Sequence, residues 1–254
     1  MTREQTLLLG EEFCTFDRYE LRLQAGERSA CVLSAGSSGP TPKAKGSVAN
    51  EDALLVVDDG ALTLIAVADA HFGSRASHEL LERLAVLSDP IPGDPIHLLA
   101  RLRGLADPEE SVGSPSESTL LVAVLDREAQ SGFGASLGDS TLMVLGAQES
   151  PRIINRKNSH YVCPWIPTSL DPRRFVEFDF RMRSGDLLVA YSDGVDECHY
   201  QSPRTSIRPH HVQDLLRRGA GNSESLAREL TELALTGVDG NPGGQDNIAV
   251  VVTG

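Results

Sequence analysis

Apolar residues in this chain come in short unbroken runs rather than long helical stripes. Segments 53–58, 61–68, 119–126, 133–137, 141–145, 175–180, 186–191 and 248–252 carry Val, Leu, Ile and Phe at strand-like density and length. Helical spacing occurs at 74–87, 95–105, 210–217 and 223–235; in the first, Ala76, Leu80, Leu84 and Leu87 share a face. Ser74 and Ser223 stand where N-caps are expected. Strands predominate, in hairpins interrupted by pairs of helices, which predicts an α+β sandwich rather than alternating βαβ units. The Gly-, Pro- and Ser-rich stretches 36–47, 107–118 and 239–245 read as loops, and none is long enough for a linker. One domain over 1–254 is expected.

The polar residues become informative where these runs start and stop. Asn50-Glu51-Asp52, Asp69-Ala70-His71-Phe72-Gly73, Gly138-Asp139-Ser140, Ser192-Asp193-Gly194 and Asp246-Asn247 all adjoin a predicted strand. Their carboxylates therefore fall at strand ends, where side chains can converge outside a sheet. Converging carboxylates repel one another unless a cation neutralises them, and an all-oxygen set suits Mg²⁺ or Mn²⁺ rather than zinc. Asp59-Gly60 reads as a two-residue hairpin turn. That turn would place Asn50 opposite Asp69 and Glu51 opposite Ala68, with Cβ atoms of the acidic pair about 5–8 Å apart. Antiparallel pairing would likewise join the strand ends bearing Asp193 and Asp246.

Composition narrows the partners. The net charge of −13 argues against a nucleic acid, whose phosphates want a basic face. Every apolar run is far too short to span a bilayer, and the first residues lack the basic and apolar regions of a signal peptide. No membrane partner and a cytoplasmic location are expected. Cys14, Cys31, Cys163 and Cys198 form no C-x-x-C and read as reduced, mostly buried thiols. Gly134-Ala135-Ser136-Leu137-Gly138 matches the G-x-S-x-G elbow formally, but a predicted strand follows where that motif needs a helix.

The acidic motifs, in this order and spacing over about 50–252, resemble the metal-dependent serine/threonine protein phosphatases of the type-2C class, in their bacterial form. Asn50-Glu51-Asp52 looks like that family's first acidic motif, and Asp69–Gly73 is similar to its D-G-H/M-G-G. Gly138-Asp139-Ser140 resembles its G-D-S turn, Leu188–Gly194 its strand ending in S-D-G, and Asp246-Asn247-Ile248 its closing D-N-I. The resemblance implies two packed antiparallel sheets flanked by helices, an αββα sandwich. It implies two Mn²⁺ or Mg²⁺ ions in a core site, with a looser third. Asp69 would bridge the two, the carbonyl of Ala70 would bind one, and Asp193 and Asp246 would complete the set. Glu51 and Asp52 would act directly or through water, and Asp139 would hold the third ion. A metal-bridging hydroxide would attack a phosphoserine or phosphothreonine, with His71 as general acid. The partners implied are a phosphorylated protein and a cognate Ser/Thr kinase pathway.

This chain departs from the family pattern at three points. Ala70 and Phe72 replace glycines, so a left-handed backbone at position 70 would be uncomfortable and a bulky ring stands beside the metals. Ser47 occupies the place of a phosphate-gripping arginine, and Lys43 and Lys45 are its candidate substitutes. A weakly active or non-catalytic regulator that binds a partner protein, and a phosphatase for a small phosphorylated metabolite, stay open as alternatives. The sequence leaves the oligomeric state open.

Overall fold

The computed structural model describes residues 3–24, 26–39, 50–107 and 114–254. The strands are β1 (Glu4–Leu9), β2 (Tyr19–Gln24), β3 (Ser29–Ser34), β4 (Asp52–Asp58), β5 (Leu62–His71), β6 (Glu117–Ser118), β7 (Leu120–Asp126), β8 (Ser131–Leu137), β9 (Thr141–Leu145), β10 (Arg152–Ile153), β11 (Val176–Arg181), β12 (Leu187–Tyr191) and β13 (Ile248–Thr253). The helices are α1 (Arg75–Leu87), α2 (Pro95–Arg103), α3 (Asp193–Asp196), α4 (Pro209–Arg218) and α5 (Ser223–Thr236). One sheet runs β1-β4-β5-β7-β8-β11, with β6 on the end of β5; the other runs β10-β9-β12-β13-β3-β2. All the pairings are antiparallel.

Burial on both faces explains the unbroken apolar runs. Leu54 and Val56 of β4 face the layer between the sheets with Ile65, Leu121, Leu188 and Val251. Their neighbours Leu55 and Val57 pack outward with Leu80 and Leu84 of α1 and Leu98 of α2. On the far side Val32, Val189 and Val250 pack against Leu226 and Leu230 of α5. Helices, sheet, sheet and helices thus make the four layers of an α+β sandwich.

The hairpin differs from its expectation. β4 and β5 pair with Asp58 opposite Thr63 and Asp52 opposite Asp69. The Asp59 carboxylate accepts from the amides of Ala61 (2.9 Å) and Leu62 (2.8 Å), and Asp58 accepts from Gly60 N–H (2.8 Å). Those side chains stabilise a longer loop than a two-residue turn. Two residues are a full strand period, so every side chain keeps its predicted face. The helix caps differ too. Asn222, not Ser223, caps α5 by accepting from Ser225 N–H, because Ser223 Oγ donates instead to the Arg28 carbonyl. Ser74 precedes α1 without a side-chain cap bond.

At the end of β4 away from Asp52, buried Asp58 accepts from Thr63 Oγ1 (2.6 Å) and from Arg127 Nη2 (3.0 Å). Arg127 also donates to Thr253 Oγ1 (3.1 Å), so it ties the two sheets together. Burial pushes the Asp58 pKa up, but the Thr63 and Arg127 bonds outweigh it and hold the carboxyl below its ordinary 3.8. Cys31 and Cys198 are buried as expected, whereas Cys163 is half-buried and Cys14 exposed; all four are free thiols. No described helix is long and apolar enough to cross a membrane.

Candidate metal centre

The acidic motifs sit at one edge of the sandwich because antiparallel pairing returns their strands to the same end. Asp69 lies near the end of β5, Asp52 opens β4 directly opposite it, Asp139 lies in the β8–β9 turn, and Asp193 follows β12. Carboxylate oxygens of Asp69, Asp139 and Asp193 lie within 4.8 Å of one another, the first and last being buried and Asp139 half-buried. Asp246 precedes β13, which pairs with β12 as expected, so its strand end adjoins that of Asp193.

Neutral hydrogen-bonding groups hold these acids. Ser192 Oγ donates to Asp52 Oδ2 (2.7 Å) and accepts from Ala249 N–H (3.0 Å). Asp69 N–H donates to Thr119 Oγ1 (3.0 Å), which also meets Ser140 Oγ at 3.0 Å. Asn50 Oδ1 accepts from Asp52 N–H (3.2 Å), and Asn247 Oδ1 from Glu51 N–H (2.8 Å). Two glycines are dictated by space. A Cβ on Gly194 would lie 1.6 Å from the Asn247 carbonyl oxygen, and one on Gly138 (φ +107) 2.5 Å from Thr119 Cγ2. Neither S-D-G nor G-D-S therefore tolerates a side chain after Asp193 or before Asp139.

The field at this edge is strongly negative. Burial pushes the Glu197 pKa up, and Asp193, Asp196 and Asp139 add to it, with Lys157 opposing. Burial likewise raises Asp196, one helical turn from Asp193, although Lys157 Nζ lies 2.7 Å from its carboxylate. Clustered carboxylates among neutral donors form an all-oxygen set, which fits a hard divalent cation. Glu51 also shapes the backbone here, since its Oε1 accepts from Gly73 N–H (2.6 Å) and so pins the turn that follows β5.

That turn moves the backbone strain expected at position 70. Ala70 is an ordinary β5 residue paired with Ser118, and the left-handed conformation falls on Phe72 (φ 63) and Gly73 (φ 116). His71 shares the Asp69 face of β5 by strand alternation and meets the Tyr161 ring edge-on at 4.9 Å. Ser136 lies within β8 and β9 follows, as the absence of a nucleophile elbow requires. Lys43, Lys45 and Ser47 lie outside the described residues. Thr119, Lys157 and Tyr161 join the site without having been expected there, and Ser140, expected only as part of its turn, meets Thr119. Ser140 alone carried a signal, being a small hydroxyl within an acidic motif; Thr119 opens a predicted strand far from Asp69 in sequence, and Lys157 and Tyr161 stand in a stretch with no hydrophobic period.

Solved structures with this architecture include bacterial serine and serine/threonine phosphatases. A variant of a bacterial serine phosphatase matches with a TM-score of 0.64 at 18% identity, covering 89% of this chain and 96% of its own. RsbX in complex with magnesium matches with a TM-score of 0.61 at 11% identity, over 92% and 98%. The catalytic domain of the serine/threonine protein phosphatase PstP with two manganese ions gives 0.58 at 21%, over 92% and 98%. Neither a family model nor a curated protein matches the sequence. The chain has the fold of the bacterial type-2C (PPM) Ser/Thr phosphatases.

Proposed function

We propose that this chain is a Mn²⁺- or Mg²⁺-dependent phosphatase that hydrolyses phosphoserine and phosphothreonine in proteins. The observation that carries the reading is the convergence of Asp69, Asp139 and Asp193 within 4.8 Å at one sheet edge. Asp69, Asp193, Asp246 and the Ala70 carbonyl would hold the core ions, with Asp52 and Glu51 supporting them and Asp139 holding a third. Divalent cations bound there would lower the pKa of a coordinated water and offset phosphoryl charge. Ser192 and Thr119 keep Asp52 and Asp69 in place, so the acids need little reorganisation when charge develops. His71, on the Asp69 face, would give its proton to the departing serine or threonine oxygen. Lys43 and Lys45 would bind substrate phosphate as point charges in place of an arginine fork.

The substrate of this reading is a phosphoprotein in a cytoplasmic pathway with a cognate Ser/Thr kinase. The −13 charge supports neither nucleic acid nor an anionic membrane surface as partner. The test is phosphate release from a phosphothreonine peptide and from p-nitrophenyl phosphate, each with and without Mn²⁺. Mn²⁺-dependent release from both supports the reading. Release from p-nitrophenyl phosphate alone favours a small-metabolite phosphatase, and release from neither favours a partner-binding regulator.

A further inference from the structure

The residue of the Asp69 motif that packing does not explain is Phe72, in the turn directly after β5. It holds φ 63, a conformation that a bulky side chain adopts only under strain and that glycine takes freely. Buried contacts usually repay such strain, yet Phe72 is 66% exposed. The turn is fixed from both sides: Glu51 holds Gly73 N–H (2.6 Å), and Ser116 Oγ donates to the Gly73 carbonyl. The ring is thus held out toward solvent three residues from Asp69. One ring contact links it to two further aromatic rings in series. The His71 ring lies 6.3 Å from Phe72 and 4.9 Å from Tyr161, both edge-on. Arg75, the nearest cation along the chain, is already engaged by Glu79 and by the face of Trp165 at 5.4 Å. The Phe72 ring is therefore the exposed apolar surface that this turn presents beside the acidic edge.

Resting on the phosphatase reading, we infer that Phe72 is a specificity-determining residue, the exposed ring of an aromatic rim that receives an apolar side chain flanking the phosphorylated residue of a polypeptide. The occupant is a peptide segment with Leu, Ile or an aromatic residue beside its phosphoserine or phosphothreonine. A small phosphorylated metabolite fits less well, since it would place its phosphate at the carboxylates and leave the ring uncovered. Covering part of one phenyl ring is worth ~10-fold in binding.

The experiment compares kcat and KM under Mn²⁺ for two phosphothreonine peptides that differ only in a flanking Leu or Gly. The parent is expected to favour the Leu peptide ~10-fold in kcat/KM, mostly through KM. Phe72→Gly should bring the ratio to about one while melting no lower than the parent, because glycine fits a left-handed backbone. Phe72→Tyr should keep the preference, and Phe72→Asn, which tolerates the same backbone, repeats the truncation. A parent active on both peptides without preference, or a preference that survives truncation, overturns the inference alone. A parent that releases phosphate from neither peptide overturns the phosphatase reading and this inference with it.

Discussion

Ser192→Ala tests how the carboxylates are held in place. Ser192 is fully buried, donates to Asp52 Oδ2 at 2.7 Å and accepts from Ala249 N–H at 3.0 Å. Its hydroxyl therefore joins the first residue of β4, in one sheet, to β13 in the other. A hydrogen bond to a charged group is worth about 1.5–3 kcal/mol, and a buried N–H left without a partner costs about 1–3 kcal/mol. The two effects share one hydroxyl and are not additive, so the expected loss is roughly 2–4 kcal/mol. Asp52 would also lose the bond that orients it, and removing such a supporting group typically costs ~10–100-fold in metal affinity. Urea unfolding in chelator reads the first effect, and Mn²⁺ titration calorimetry of the folded variant reads the second. A stability loss below about 1 kcal/mol together with unchanged Mn²⁺ affinity would refute the account of how these strand ends are positioned.

Three further outcomes are expected. Arg127→Ala removes the closer of two arginines from the buried Asp58 carboxylate, leaving Arg28 at 3.6 Å and Thr63 to offset the charge, and should cost about 2 kcal/mol. Because Asp58 titrates below 3.8 in the folded protein, its contribution is complete above that pH and lost as pH falls through the lower folded value. Parent and variant should therefore converge in stability on acidification, and a gap independent of pH would contradict the pairing. His71→Asn should slow a phosphothreonine peptide far more than p-nitrophenyl phosphate, whose leaving group needs little protonation; equal losses would remove His71 as proton donor. Alanine at Lys43 and Lys45 should raise KM with little change in kcat, and an unaltered KM would leave phosphate binding to other groups.

Most central strands are legible because burial on both faces writes a continuous apolar run, as in Ala53–Val57 of β4; β3 (SACVLS), buried throughout, escapes because only four apolar residues stand between its serines. β1 and β2 are not legible, because charged and polar residues interrupt them (EQTLLL and YELRLQ). The β4–β5 register is legible only in its face pattern. Two aspartate side chains, Asp58 and Asp59, satisfy the loop amides and turn an apparent two-residue turn into a longer loop. The acids of the centre can be found because each marks the end of a strand. Their supports are harder to see: Thr119 is 50 residues from Asp69, and Ser192 is 140 from Asp52. Only pairing between distant strands brings such residues together. Position 70 shows the same limit from the other side, since the strain expected there belongs to Phe72, where the chain leaves β5.

Turnover of a phosphothreonine peptide against free Mn²⁺, for the parent and for Asp69→Asn, tests the central claim most directly. Asp69 stands opposite Asp52 and within 4.8 Å of Asp139 and Asp193, so its charge is common to the whole cluster. No turnover is expected in chelator, with saturable activation of the parent by Mn²⁺ and none of the variant at any Mn²⁺ concentration. Full turnover of the parent in excess chelator, or of Asp69→Asn with Mn²⁺, would contradict that claim.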